Sequence, residues 1–184
     1  MGVLNPNLWI DKITRLTPSD FIDNNIKVVL VDLDNTVLDP QTKKLIPGIK
    51  EWIDELKRNN ILVCFVSNTI SKEKKEHLHK ELEVPIVINA IKPFNPGIKR
   101  ALKILEMLHI PRENVAMIGD QLFTDVLGGN LMGLHTIKVD PISNTNEDSF
   151  ASKLLRYFET CYLNARAEKG KVKVLVREYK PEFD

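Results

Sequence analysis

Two aspartates stand one residue apart in Asp32-Leu33-Asp34-Asn35-Thr36, directly after the apolar run Val28-Val29-Leu30-Val31. Carboxylates at that spacing repel each other if both are buried without a counter-charge. A cation or a shared proton resolves the repulsion, and a divalent metal is the common solution. An Asx turn at a strand end is the competing reading, because Asp and Asn side chains bond to nearby backbone there. This stretch alone does not choose between them.

Three later clusters repeat the pattern. Ser67-Asn68-Thr69 follows the apolar run 61–66, Lys92-Pro93 follows 85–88, and Gly119-Asp120 with Asp125 follows 115–118. Taken singly, Ser67 is a turn or cap residue, Lys92 a surface lysine, Asp120 a loop signal and Asp125 a residue near a helix start. In open α/β sheets, however, ligands bind beyond the carboxyl ends of the strands. Four such clusters at successive strand ends therefore describe one site. His77, His79, His109 and His135 show no metal-ligand spacing with cysteine and are expected to be structural.

The elements that must hold these residues can be read from periodicity. Continuous apolar strands at 28–31, 61–66, 85–88, 115–118 and 134–139 alternate with amphipathic helices, which predicts a parallel sheet covered on both faces. One helix opens at Pro47-Gly48 and ends at Asn59-Asn60, and a charged one runs from a Ser71 cap to Leu82. Another starts at Asn95-Pro96 and carries Ile98, Ala101, Leu102, Leu105 and Leu108. A helix after Asp125 closes at Gly133, and a last one spans Ser149 to Leu163. Before the first strand, Leu4, Leu8, Ile13 and Leu16, with Trp9 and Ile10, make an irregular helical stripe. Thr17-Pro18 then begins a short helix through Ile22. These two helices either cover the sheet or offer an apolar edge to a membrane, which would suit Trp9. The tail from Lys169 is a late strand through Val172, Val174 and Val176, or disordered.

The expected fold class is thus α/β, a three-layer α/β/α Rossmann-like parallel sheet with a minimal cap or none. One domain spans 1–184, with N-terminal helices at 1–26, the catalytic core at 27–140 and a C-terminal helix and basic tail at 141–184. A net charge of +1 gives no global reason for nucleic-acid binding. No apolar run approaches the roughly 18 residues that span a bilayer, and no signal peptide opens the chain. Cys64 lies in an apolar run and is expected to be a buried thiol, so a reducing cytoplasm is the default location. Any membrane contact would be peripheral. Composition sets no oligomeric state.

With its four clusters in order, the chain resembles phosphatases of the haloacid dehalogenase superfamily, subfamily IIIA. Asp32-Leu33-Asp34-Asn35-Thr36 matches their first motif, Ser67 the second, Lys92 the third, and Gly119-Asp120 with Asp125 the acidic fourth. Asp-x-Asp-Asn-Thr, Ser-Asn-Thr, Lys-Pro and Gly-Asp-Gln-x-x-Thr-Asp resemble the YqeG-like branch, which is related to phosphatidylglycerophosphate phosphatases. The resemblance implies Asp32 as nucleophile and Asp34 as general acid and base. It implies Mg²⁺ held by the Asp32 carboxylate, the Asp34 carbonyl and Asp120, with Asp125 orienting its waters. Ser67 and the backbone around Asn68 would hold phosphoryl oxygens, and Lys92 would balance the negative charge. Thr36 and Asn35 would support the Asp34 turn.

The intervals between motifs bear on the substrate. Thr36 to Ser67 has room for one loop and one helix, and Ser67 to Lys92 for one helix and one short strand. Neither admits a cap domain, so the site is expected to be open unless a partner subunit or the C-terminal segment covers it, which suits a large or surface-bound phosphomonoester. The branch implies an anionic phospholipid. Lys153, Arg156, Arg166, Lys169, Lys171, Lys173, Arg177 and Lys180 could attract such a lipid, diluted by five acidic residues in the same segment. A phosphatase of a soluble sugar phosphate, nucleotide or phosphoprotein shares the chemistry. A non-catalytic binding protein shares only the fold, and intact Asp32, Asp34, Lys92 and Asp120 argue against it.

Overall fold

The apolar runs of the sequence assemble into one sheet of seven strands whose pairings are all parallel. A computed structural model describes residues 2–68, 71–94, 96–143, 158–159, 161–165 and 173–175. Its strands are β1 (Leu8–Ile10), β2 (Val28–Val31), β3 (Leu62–Val66), β4 (Ile86–Val87), β5 (Val115–Gly119), β6 (His135–Val139) and β7 (Lys173–Leu175). They lie side by side in the order β4-β3-β2-β5-β6-β1-β7. The helices are α1 (Pro18–Ile22), α2 (Ile49–Arg58), α3 (Lys72–Leu82), α4 (Pro96–Ile104) and α5 (Leu127–Leu131).

Alternation along β2 explains the three layers. Successive side chains point to opposite faces of a strand, yet all four of β2 are fully buried. Val29 and Val31 join one core with Trp52, Ile53 and Leu56 of α2 and Leu78 and Leu82 of α3. Val28 and Leu30 join the other with Ile98, Ala101 and Leu102 of α4. Cys64 lies in this second core, and burial pushes its thiol up to about 12.

The N-terminal stripe is not the helix that its spacing predicts. Leu8–Ile10 forms a strand between β6 and β7, in parallel register with both. Asn5-Pro6-Asn7 explains the change. Pro6 has no N–H to donate to a helix, and Asn7 engages Thr136 with both backbone and side chain. The Asn7 N–H donates to Thr136 O at 2.8 Å, and the Thr136 N–H donates to Asn7 Oδ1 at 2.8 Å. Trp9 is half-buried and donates its indole N–H to Asp140 Oδ1 at 2.7 Å, so its polar end is held within the protein. The following helix forms as expected, with the Thr17 N–H donating to Asp20 Oδ2 at 2.7 Å. Trp52 of α2 anchors this segment by donating to Leu16 O at 2.7 Å.

One other expectation shifts, and one open alternative resolves. The helix from Pro96 stops at Ile104, because Glu106 adopts a left-handed conformation with φ 58°, and Leu108 lies beyond it, 44% exposed. At the tail, Lys173–Leu175 is a strand beside β1, the first of the two readings. Of the last expected helix, residues 158–159 and 161–165 are helical. Its remainder lies outside the described residues, as do Lys153, Arg156, Arg166, Lys169, Lys171, Arg177 and Lys180. Between Thr36 and Ser67 the chain forms only the loop 37–47, pinned by a bridge between Leu38 and Leu45, followed by α2 and β3.

Candidate active site

Where β2 ends, the chain turns sharply enough to bring both aspartates to the sheet edge. The Asp32 N–H still donates to Ile118 O of β5 at 2.9 Å, so Asp32 is fixed as the last rung of the ladder. Beyond it, Leu33 O accepts the N–H groups of Val37 and Leu38 at 3.1 and 2.9 Å, which closes a tight turn. Asn35 sits inside with φ 63°, a left-handed conformation that Asn tolerates better than most residues. Its amide clamps the chain after β6: Nδ2 donates to Ser143 O, and Oδ1 accepts the Ser143 N–H, both at 3.1 Å. The supporting role expected of Asn35 thus has a defined partner. The Thr36 hydroxyl does not hold the turn. It is buried and makes no hydrogen bond among the described residues.

Lys92 occupies the centre. Its ammonium donates to Asp32 Oδ1 and to Asp125 Oδ1, the latter at 2.6 Å. Burial pushes the Lys92 ammonium down, but Asp125 and Asp32 more than offset it and hold it above its ordinary value. Burial has the opposite effect on Asp32, raising it well above the usual carboxylate range. Lys92 opposes that rise, while Asp125 and Asp120 add to it. Three buried carboxylates, Asp32, Asp120 and Asp125, thus crowd this point.

Ser67 is fully buried at the end of β3 and donates its hydroxyl to Asp34 Oδ2 at 3.1 Å. Asn68 does something that the sequence did not disclose. Its side chain grips the Lys92 backbone, with Nδ2 donating to Lys92 O at 3.1 Å and Oδ1 accepting the Lys92 N–H at 2.7 Å. Asp125 is likewise more directly engaged than its expected water-orienting role. Besides the ion pair with Lys92, it accepts the Gln121 N–H at 3.1 Å. Gly119 makes this possible, because a Cβ there would lie 2.2 Å from the Asp125 carboxyl. Asp125 rides on a π-helical turn, Leu122–Val126, whose first N–H donates to the buried Glu159 at 3.1 Å. Nothing in the local sequence signals Glu159; only the return of the C-terminal segment places it there.

Asp32, Asp120 and Asp125 are all buried, and each offers a carboxylate oxygen within 4.8 Å of the others. An all-oxygen donor set of three carboxylates fits a hard divalent cation such as Mg²⁺. The Asp34 carboxylate lies outside this trio. Its side chain points to Ser67 instead.

A family model for mitochondrial PGP phosphatases matches residues 3–143. The chain belongs to that family. Its members within the haloacid dehalogenase superfamily are phosphatases, and so is this protein. It is 35% identical over 168 residues to the probable phosphatase YqeG of Bacillus subtilis, covering 91% of this chain and 94% of that one. It is 31% identical over 150 residues to the mitochondrial phosphatidylglycerophosphatase of Saccharomyces cerevisiae, covering 72% of this chain and 78% of the relative. A haloacid dehalogenase-like hydrolase from Brucella suis superposes with a TM-score of 0.51 at 10% identity, covering 76% of this chain and 97% of that one, a likeness of fold alone. The PGP phosphatase family match includes β1 and all four motifs, so the N-terminal strand lies within the shared region.

Proposed function

We propose that this phosphatase hydrolyses the terminal phosphomonoester of phosphatidylglycerophosphate through an aspartyl-phosphate on Asp32, with Mg²⁺ as cofactor. The observation that carries the chemistry is the convergence of Asp32, Lys92, Asp120 and Asp125 at one buried point of the carboxyl edge. The substrate follows from the yeast relative's name and the family description.

Asp32 attacks phosphorus, the bond to the substrate oxygen breaks, and Asp34 delivers a proton to the departing alcohol. Asp34 then takes a proton from the water that cleaves the acyl phosphate, which regenerates Asp32. Ser67 orients the Asp34 carboxyl, and the Ser67–Asn68 backbone would receive phosphoryl oxygens. Lys92, held in place by Asn68, offsets the charge shared between phosphate and carboxylates. The Asp32 and Asp120 carboxylates would hold Mg²⁺, with Asp125 beside them and the Asp34 carbonyl as a further donor. When bound, Mg²⁺ neutralises charge on the phosphoryl oxygens.

Peripheral contact with lipid has its own support. Ile91 and Phe94 flank Lys92-Pro93 and are 56% and 66% exposed. Ile91 has φ 59°, an unfavourable conformation for a β-branched residue. Strained, apolar and exposed, it suits a loop that rests on a membrane surface. No helix among the described residues is long and apolar enough to cross a membrane.

The test is phosphate release from phosphatidylglycerophosphate in mixed micelles, beside a panel of soluble sugar phosphates, nucleotides and a phosphopeptide. The expected result is a preference for the lipid that weakens in an Ile91→Ser, Phe94→Ser double variant, with no lipid turnover by Asp32→Asn. Equal or better turnover of a soluble substrate would overturn the lipid assignment and leave the phosphatase chemistry standing.

A further inference from the structure

Asp125 holds Lys92 from the π-helical turn Leu122–Val126, a rare geometry found mostly as single turns and frequently at functional sites. The turn closes on one peptide unit, Gln121–Leu122. On its carbonyl side, Gln121 O accepts the N–H groups of Asp125 and Val126 at 3.0 and 3.3 Å. On its amide side, the Leu122 N–H stands at the start of the turn, where the turn itself offers no acceptor. Glu159 supplies one from 37 residues away, accepting this N–H through Oε1 at 3.1 Å. Glu159 is 5% exposed and Leu122 is fully buried, so water competes little for the bond.

The C-terminal segment brings Glu159 to this point with contacts of its own. Positions 159, 162 and 163 are three and four residues apart and share one helix face. Leu163 is buried with Leu122 and Val126 in a small apolar cluster bordered by Trp9 and Phe123. The Tyr162 hydroxyl donates to Asn5 Oδ1 at 2.8 Å, which ties the same helix to the N-terminal segment. An apolar side chain at 159 would extend that cluster without burying a charge. Burying a carboxylate is unfavourable unless it is hydrogen-bonded, so its presence here points to hydrogen bonding rather than packing.

A peptide unit is planar, so fixing the direction of the Leu122 N–H also fixes the Gln121 carbonyl on its opposite side. That carbonyl holds the Asp125 backbone, and the Gln121 N–H donates to Asp125 Oδ2 at 3.1 Å. Asp125 Oδ1 accepts from the Lys92 ammonium at 2.6 Å, and Lys92 donates in turn to Asp32. We infer that Glu159 is a positioning residue for the phosphatase reaction. By orienting the Gln121–Leu122 peptide it sets Asp125, and through Asp125 it aligns Lys92 against Asp32. This rests on the reading of Asp32 as nucleophile.

Reach and charge can be separated at Glu159. Glu159→Gln keeps an acceptor oxygen at the same reach, whereas Glu159→Asp keeps the charge and withdraws it by one methylene. On p-nitrophenyl phosphate, Glu159→Asp should lower kcat about tenfold, the equivalent of one hydrogen bond to a charged group, with KM changed less than about twofold. Glu159→Gln should keep kcat within about threefold of wild type. Amide hydrogen exchange at Leu122 in the full chain should quicken about tenfold in Glu159→Asp and stay slow in Glu159→Gln. Tyr162→Phe removes the Asn5 bond of the same helix and leaves Leu122 untouched. It should lower the denaturation midpoint without lowering kcat.

Full activity in Glu159→Asp would overturn the inference. So would a kcat loss in Tyr162→Phe as large as that in Glu159→Asp, which would make the helix a structural support only. A larger loss in Glu159→Gln than in Glu159→Asp would mark charge rather than reach and would overturn it too. If Glu159→Asp does not fold, Glu159→Gln decides alone: retained activity with slow exchange supports the role, and a loss beyond about tenfold refutes it. Asp32→Asn is assayed beside these variants. Turnover by Asp32→Asn would remove the nucleophile reading, while exchange at Leu122 and the contrast between the two Glu159 variants would still decide the role of Glu159.

Discussion

Asp32 and Asp34 share one turn, yet their surroundings differ. Asp32 meets Lys92 at a buried point, whereas Asp34 is half-buried and bonded to Ser67. If Asp34 protonates the leaving oxygen, Asp34→Asn should lower kcat by about 10²–10⁴ on an alkyl phosphate. The loss should be far smaller on p-nitrophenyl phosphate, whose leaving group needs no proton. A uniform loss across both substrates would contradict that role. Asn68→Ala removes both hydrogen bonds that fix the Lys92 backbone, and chemical denaturation should show a cost of about 1–3 kcal/mol. Activity should fall with it, as Lys92 loses its alignment. The site was legible in the sequence because unusual residue types stood at successive strand ends. Asn68 and Asp125 were visible there as candidates, but their partners were not, because hydrogen bonds across 24 and 33 residues leave no local pattern. Gly119 was legible only as a turn; its need for close approach emerges from the Asp125 carboxyl lying where a side chain would be.

At the scale of elements, the central strands were readable from continuous β-branched and apolar runs, and the helices from their 3.6-residue stripes. The short outer strands were not. β1 has three residues, too few for periodicity to tell strand from helix, and its identity comes from pairing with β6. β1 leads into Asp11, and its Trp9 is bonded to Asp140 beyond β6. Ile10 is 1% exposed within the main core. Ile10→Ala should cost about 2–5 kcal/mol in denaturant unfolding, as for a full core residue. A cost below about 0.5 kcal/mol, the surface range, would show that the segment is an appendage.

Taken whole, the molecule is a parallel sheet that gathers its chemistry along one edge. The motifs stand over β2, β3 and β5, and a cavity over β6 and β1 lies beside them. Between the first two motifs lie only a loop, α2 and β3, with no room for a cap domain. The account stands or falls on covalent chemistry at Asp32. Quenching the enzyme during turnover with borohydride reduces an acyl phosphate to the alcohol, and peptide mass mapping locates it. The account predicts homoserine in place of Asp32 and at no other aspartate, with none in Asp32→Asn. Steady turnover with the mark at Asp34 or Asp120, or with no mark at all, would contradict it.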